Sequence, residues 1–192
     1  MSRICRIILV CEGWRDSAFA RGFLEEAGVD PNTVDPKPNP GGCGHDWVKT
    51  KFVEEVANLK RFSEGRGVLG LLDEDGQGAN TRSGEVNTLL QAHGLPPLNA
   101  NDGRCLLLPT RNIETWLYWL NAQRNGQPVT VDETTNYKRT GPPGVSKLSN
   151  ADCRPAGEFL HSLNHTALPI GCPAILGQSL GRLRAFLNAA RR

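Results

Sequence analysis

The 192 residues suffice for one compact domain with an appendage but not for two full domains. Hydrophobic residues at 39% and charged residues at 22% are ordinary globular proportions and exclude a chain disordered throughout. A net charge of +2, from 22 basic against 20 acidic side chains, excludes a global pull towards polyanions, so nucleic-acid binding would have to rest on local clusters.

In chain order, Ile4 to Val10 is a β-rich apolar run broken by Arg6 alone, as expected of a buried strand in a mostly parallel sheet. It ends at Cys11-Glu12-Gly13, and from Asp16 the period becomes helical through Phe19, Phe23 and Leu24, with Gly28 as the stop. Pro31 to Gly44 carries four prolines and reads as irregular; Val48 to Phe62 resumes a helical stripe. Gly67 to Leu72 is a second apolar strand running into Asp73-Glu74-Asp75-Gly76, followed by a helix over Gly84 to His93. Arg104 to Leu108 is a third strand, stopped by Pro109, and Ile113, Trp116, Leu117 and Leu120 form the next helical stripe. Asn121 to Arg154 is long, polar and rich in Gly and Pro, which marks it as functional or mobile. Helices near Glu158 to Leu163 and Ser179 to Ala190 close the chain. The pattern predicts an α/β fold with a mostly parallel sheet flanked by helices: a core over 1–121, a long loop over 122–154 and a C-terminal helical segment over 155–192 packing on the core.

No apolar run approaches the ~20 residues that cross a bilayer, and Met1 to Glu12 lacks a signal peptide's cleavage region, so a cytoplasmic protein is expected. The six cysteines, Cys5, Cys11, Cys43, Cys105, Cys153 and Cys172, show no paired spacing and are expected as buried free thiols.

In an open α/β sheet, chemistry gathers beyond the carboxyl ends of the strands. Glu12 follows the first predicted strand, Asp73 and Asp75 the second, and Glu114 lies in the first turn of the helix after the third. Taken singly, each acid is accounted for as a turn former or a favourable charge at a helix start. Three carboxylates converging at about 5 Å would repel by roughly 3 kcal/mol per pair at an effective dielectric near 20, about 10 kcal/mol together, and so require a cation. Carboxylate oxygens without His or Cys neighbours select Mg²⁺ or Mn²⁺, and that cation points to phosphate chemistry.

Two stretches, Ile7-Ile8-Leu9-Val10-Cys11-Glu12-Gly13 and Leu71-Leu72-Asp73-Glu74-Asp75-Gly76, resemble the two motifs of the Toprim fold found in type IA topoisomerases, bacterial primases, recombination mediators and OLD-type nucleases. Leu108-Pro109-Thr110-Arg111-Asn112-Ile113-Glu114-Thr115-Trp116-Leu117 is similar to the Pro-x-Arg-x-Ile-Glu-x-Trp-Leu signature of small bacterial Toprim-like proteins, and Pro143 to Lys147 loosely matches a later Pro-Gly-x-x-Lys segment. The resemblance implies a Mg²⁺-dependent nuclease acting on DNA or RNA. Glu12 would be general acid/base or metal ligand, Asp73 and Asp75 the metal pair, and Glu114 a further ligand. Arg111 and Lys147 would contact phosphate, with Lys138 or Arg139 as alternatives to Lys147. It also implies a role in anti-phage defence beside an ATPase partner. Glu74 is expected to point away from Asp73 and Asp75. The competing readings are a non-catalytic Toprim module that binds nucleic acid or a partner protein, and a phosphatase of the haloacid-dehalogenase kind, in which the Asp-x-Asp normally follows the first strand.

Other signals are weaker. Cys153, His161, His165 and Cys172 offer zinc-compatible atoms at spacings that match no strong pattern. Gly41 to Asp46 could present backbone amides to a phosphate but reads more simply as a turn, and His45 as polar surface. Trp14 could stack a base, though packing under the loop is the expectation. Trp116 is expected in the core, and the pattern does not decide Trp119.

Overall fold

A computed structural model describes residues 6–41, 44–59, 65–77, 81–99, 103–127 and 129–191. In chain order it contains β1 (Arg6–Cys11), α1 (Trp14–Glu26), β2 (Val34–Pro38), α2 (Gly44–Leu59), β3 (Arg66–Leu71), α3 (Thr81–Ala92), β4 (Arg104–Leu107), α4 (Ile113–Arg124), α5 (Cys153–Ser162) and α6 (Ala174–Ala190). Ile4, Cys5, Gly42, Cys43, Arg61 and Phe62 lie outside the described residues.

The four strands are parallel, in the order β2-β1-β3-β4. Because side chains alternate across a strand, Ile7, Leu9 and Cys11 enter one core with α1, α4, α5 and α6, whereas Ile8 and Val10 enter a second core with α2 and α3. The sheet is thus covered on both faces, a Rossmann-like arrangement. β2 falls inside the stretch read as irregular. Its Pro36 and Pro38 are two residues apart and therefore lack N–H on the same side of the strand, which suits an edge position and disguises the strand in the sequence.

Register fixes the height of the site. Cys11 pairs with Leu71 and Leu71 with Leu107, so β1, β3 and β4 finish level and the residues after them emerge along one edge. From adjacent β1 and β3 the chain leaves in opposite directions, to β2 and to β4, and this is the switch point at which such sheets form their crevice.

The segment after α4 packs on the core rather than apart from it. α5 lies on α1 through two glycines: a Cβ at Gly157 would sit 2.0 Å from the Phe19 carbonyl oxygen, and one at Gly22 2.2 Å from that of Arg154. α6 covers β3 and β4, where Phe186 abuts Gly67. α4 is buried almost all round, and Trp119 is as fully enclosed as Trp116. Cys11, Cys105 and Cys153 are buried free thiols, whereas Cys172 is free but only half-buried; burial pushes Cys11 and Cys105 up to about 12. Among the described residues no helix is long and apolar enough to cross a membrane.

Candidate functional site

The end of β3 is the hub. Asp73 is buried, and its Oδ1 accepts a hydrogen bond of 3.0 Å from the Ile113 backbone N–H at the first position of α4. It thereby satisfies a helix terminus whose own N-cap, Asn112, provides no side-chain cap. The same first turn carries Glu114, so the Asp-x-Asp strand end fixes the position of the acid from the next unit. The Asp73 N–H in turn faces Glu12 Oε1 at 3.4 Å, tying the ends of β1 and β3.

Asp75 adopts φ 51° and Gly76 φ 75°, two successive left-handed residues that turn the chain sharply after the strand. The turn is stitched to the loop after β4 by Glu74 N–H to the Pro109 carbonyl (2.9 Å) and Gly76 N–H to the Thr110 carbonyl (3.0 Å). Arg111 donates to the Asp75 carbonyl; the left-handed φ favours glycine at Gly76, and a Cβ there, 2.6 Å from Nη1, would displace the Arg111 guanidinium. Glu74 faces a separate cavity of about 70 Å³ with Leu108, Thr110, Ser179 and Arg182, as the alternation of side chains requires.

Two further charged groups join the predicted four. Asp16, at the third position of α1, is buried and accepts from the Gly13 N–H at 2.8 Å. Burial and the charges of Asp73, Glu12 and Glu114 push its carboxyl well above the usual range. Lys138, from the long loop, places Nζ 2.8 Å from Asp73 Oδ2 and 3.9 Å from Asp75 Oδ1. The loop delivers it through specific anchors: buried Tyr137 packs edge-on against Tyr118 at 5.8 Å, and Asn136 Oδ1 accepts both from Asn112 Nδ2 (3.2 Å) and from the Lys138 N–H (3.0 Å). Glu114 meets Arg15 Nη1 at 3.0 Å through Oε1, while its buried Oε2 has no hydrogen-bond partner.

At Asp73 and Glu12 burial outweighs the pull of Lys138. Burial raises Asp73 to about 7 despite Lys138, with Glu12 and Glu114 adding to the rise. Glu12 is raised by burial against the pull of Lys138. Lys138 itself is pushed above its ordinary value because the attraction of Asp73, Asp75 and Glu12 outweighs its desolvation. Asp75 also faces Arg82 Nη2 at 4.0 Å.

Of the predicted site residues, Glu12, Asp73, Asp75, Glu114 and Arg111 gather at this edge. Lys147 does not reach Asp73 as Lys138 does; it lines a cavity of about 490 Å³ along α4 with Tyr118, Asn121 and Asp152. Among the described residues no three His, Cys, Asp or Glu side chains stand in metal-holding geometry. At the acid edge the Lys138 ammonium takes up the space between Asp73 and Asp75. The zinc-compatible residues go separate ways: His161 packs on Phe23, His165 meets Arg184, and Cys153 and Cys172 approach backbone carbonyls. The acid set, by contrast, fits a hard divalent cation by its chemistry: every donor is a carboxylate oxygen, Glu114 Oε2 is buried and unpaired, and burial, with Glu12 and Glu114 nearby, raises Asp73 to about 7. Sequence reasoning missed Asp16, whose signal was an acid three residues after Gly13 at a helix start, and it ranked Lys138 behind Lys147.

Comparison of the chain with protein-family models, with curated proteins and with solved structures finds no match in any of the three.

Proposed function

We propose that the protein is a Toprim-type phosphodiesterase that hydrolyses DNA or RNA with Mg²⁺ or Mn²⁺. The observation that carries this reading is the convergence of Glu12, Asp16, Asp73, Asp75 and Glu114 on a switch point, with Asp73 raised to about 7 although Lys138 lies against it. Stability alone does not call for so many buried carboxylates at one point; a site that takes up a divalent cation does. The Toprim assignment rests on the Glu-Gly, Asp-x-Asp and Arg-x-Ile-Glu-x-Trp-Leu motifs.

Asp73, Asp75 and Glu114 would hold the cation, which when bound neutralises phosphate charge and activates a water. Glu12, raised by burial, would accept a proton at a carboxylate oxygen. Lys138, on a loop pinned by Tyr137 and Asn136, donates to a phosphate oxygen. Arg111, anchored on the Asp75 carbonyl, directs its remaining N–H groups to the same phosphate. Arg15 orients Glu114. The test is incubation of purified protein with single- and double-stranded DNA and RNA in Mg²⁺ or Mn²⁺. Cleavage that falls about 100- to 10,000-fold in Asp73→Asn and Glu12→Ala is expected. Cleavage unchanged in both rejects the site. The defence role and ATPase partner rest on the resemblance to OLD-type systems alone, and a partner ATPase would co-purify with the chain expressed in its own host.

The Lys138–Asp73 contact also favours a second reading, a non-catalytic module whose acids are neutralised internally and which binds nucleic acid or a partner protein. Nucleic-acid affinity independent of both Mg²⁺ and Asp73 would select it.

A further inference from the structure

Among the described residues the large hydrophobic side chains left exposed are Trp14, at 49%, and Ile170. The fold has no need of an exposed indole at Trp14. Trp116 and Trp119 are fully buried and Trp47 packs against the α2/α3 core, whereas Trp14 belongs to neither core and makes no ring contact among the described residues. The expectation that it packs under the loop fails.

Its place in the chain gives the exposure meaning. Trp14 is the first residue of α1, two positions after Glu12, so its Cα lies within about 7 Å of that of the acid. Cα–Cβ bonds in a helix tilt towards the N-terminus, which directs the Trp14 Cβ back towards the Glu12-Gly13 turn. A half-exposed indole is thus carried two residues from Glu12, at the sheet edge that also holds Lys138 and Arg111, the donors proposed for phosphate.

We propose that Trp14 is a stacking platform for an unpaired nucleobase next to the phosphate held at the acid edge, and that the substrate is therefore single-stranded nucleic acid or the unpaired end of a duplex. This rests on the phosphodiesterase reading and names its substrate class. A base inside a duplex has both faces covered by its neighbours and offers none to the indole; an unpaired base does, whatever its identity, so the preference is for strandedness and not for sequence.

The experiment is fluorescence anisotropy with a labelled single-stranded oligonucleotide, the same strand made abasic throughout, and a blunt duplex, in Ca²⁺ to limit turnover. Trp14→Ala is expected to weaken binding of the intact strand by about 5- to 150-fold. The abasic strand and the duplex should shift by less than twofold, and Trp14→Phe should retain most of the affinity. Equal affinity of wild type and Trp14→Ala for the intact strand overturns the proposal, as does an equal loss on the abasic strand. Hydrolysis of bis(p-nitrophenyl) phosphate in Mg²⁺, a diester that contains no base, reports on the phosphodiesterase reading separately. Activity there with no Trp14 effect sinks the platform alone. A Trp14 effect without that activity leaves the platform standing and removes the hydrolysis.

Discussion

Lys49 and Lys138 each meet two carboxylates, yet Asp73 beside Lys138 shifts in the opposite direction to Asp46 and Glu85 beside Lys49. Lys49 lies 2.7 Å from both Asp46 and Glu85, with Arg82 also 3.1 Å from Glu85. There the cations win, and both acids are held below their usual values, led by the hydrogen bond from Lys49 in each case. Lys138 lies 2.8 Å from Asp73, yet burial drives Asp73 up to about 7 and raises Glu12 and Asp16 with it. The exposed partners at Lys49 are the acids, with Asp46 at 78%, whereas at Lys138 the enclosed partner is the acid Asp73, with Glu12 and Glu114 adding to its rise. Contact distance therefore does not separate an ordinary ion pair from the proposed cation site. Burial of the acid does.

The largest expected difference between the clusters is in activity. Asp73→Asn should lower metal-dependent cleavage about 1,000-fold, whereas Glu85→Gln should leave it within twofold, measured as initial rates at saturating Mg²⁺. Equal losses would erase the distinction.

Replacing the lysines sharpens it next. Lys138→Met should cost about 100-fold in rate. It should also lower the Tm of the metal-free protein at pH 8 by about 3 °C, the effect of roughly 1 kcal/mol in a domain of this size once the partial exposure of Lys138 is discounted. Added Mg²⁺ should recover that Tm. Lys49→Met should leave the rate unchanged, and any loss of Tm it causes should not respond to Mg²⁺.

The pH dependence has opposite signs in the two clusters. Asp73 is raised in the folded chain, so from about pH 4 to about 7 the folded state holds a proton that the unfolded state has released, and stability falls as pH rises through that window. Asp46 and Glu85 are lowered, so their contributions are present above their unfolded values and are lost as pH falls through the folded ones. In metal-free protein, Asp73→Asn should flatten the decline between pH 4 and 7 in thermal melts, and Glu85→Gln should act only on the acid limb. The smallest effect is from salt. Raising NaCl from 0.05 to 0.5 M, a screening length falling from above to below about 10 Å, should weaken the Lys49 contribution more than that of Lys138. Double-mutant cycles at the two salt concentrations would measure the difference.

The strands that carry the site were legible because buried parallel strands are uniform apolar runs, and Val68 to Leu72 announces both its own burial and the acids at its end. β2 was hidden by its prolines, which mark a loop in most contexts and an edge strand in this one. Glu12, Asp73, Asp75 and Glu114 could be brought together on paper because a parallel sheet puts strand ends at one edge. Lys138 could not be chosen over Lys147, since the choice depends on where Tyr137 and Asn136 pin a loop that has no period of its own. Asp16 was overlooked because an acid in a first helical turn has an ordinary local explanation, and only tertiary packing adds the other carboxylates around it. The exposure of Trp14 was equally invisible, because sequence carries residue type but not which side of a turn stays open.

The central claim is that the acids at the ends of β1 and β3 and the start of α4 take up a divalent cation. Titration of Mn²⁺ followed by electron paramagnetic resonance tests it without any substrate. Wild-type protein is expected to bind Mn²⁺ in competition with Mg²⁺, and Asp73→Asn to weaken that binding at least tenfold. A wild-type chain that leaves millimolar Mn²⁺ free, or an Asp73→Asn chain that binds it equally well, would contradict the account.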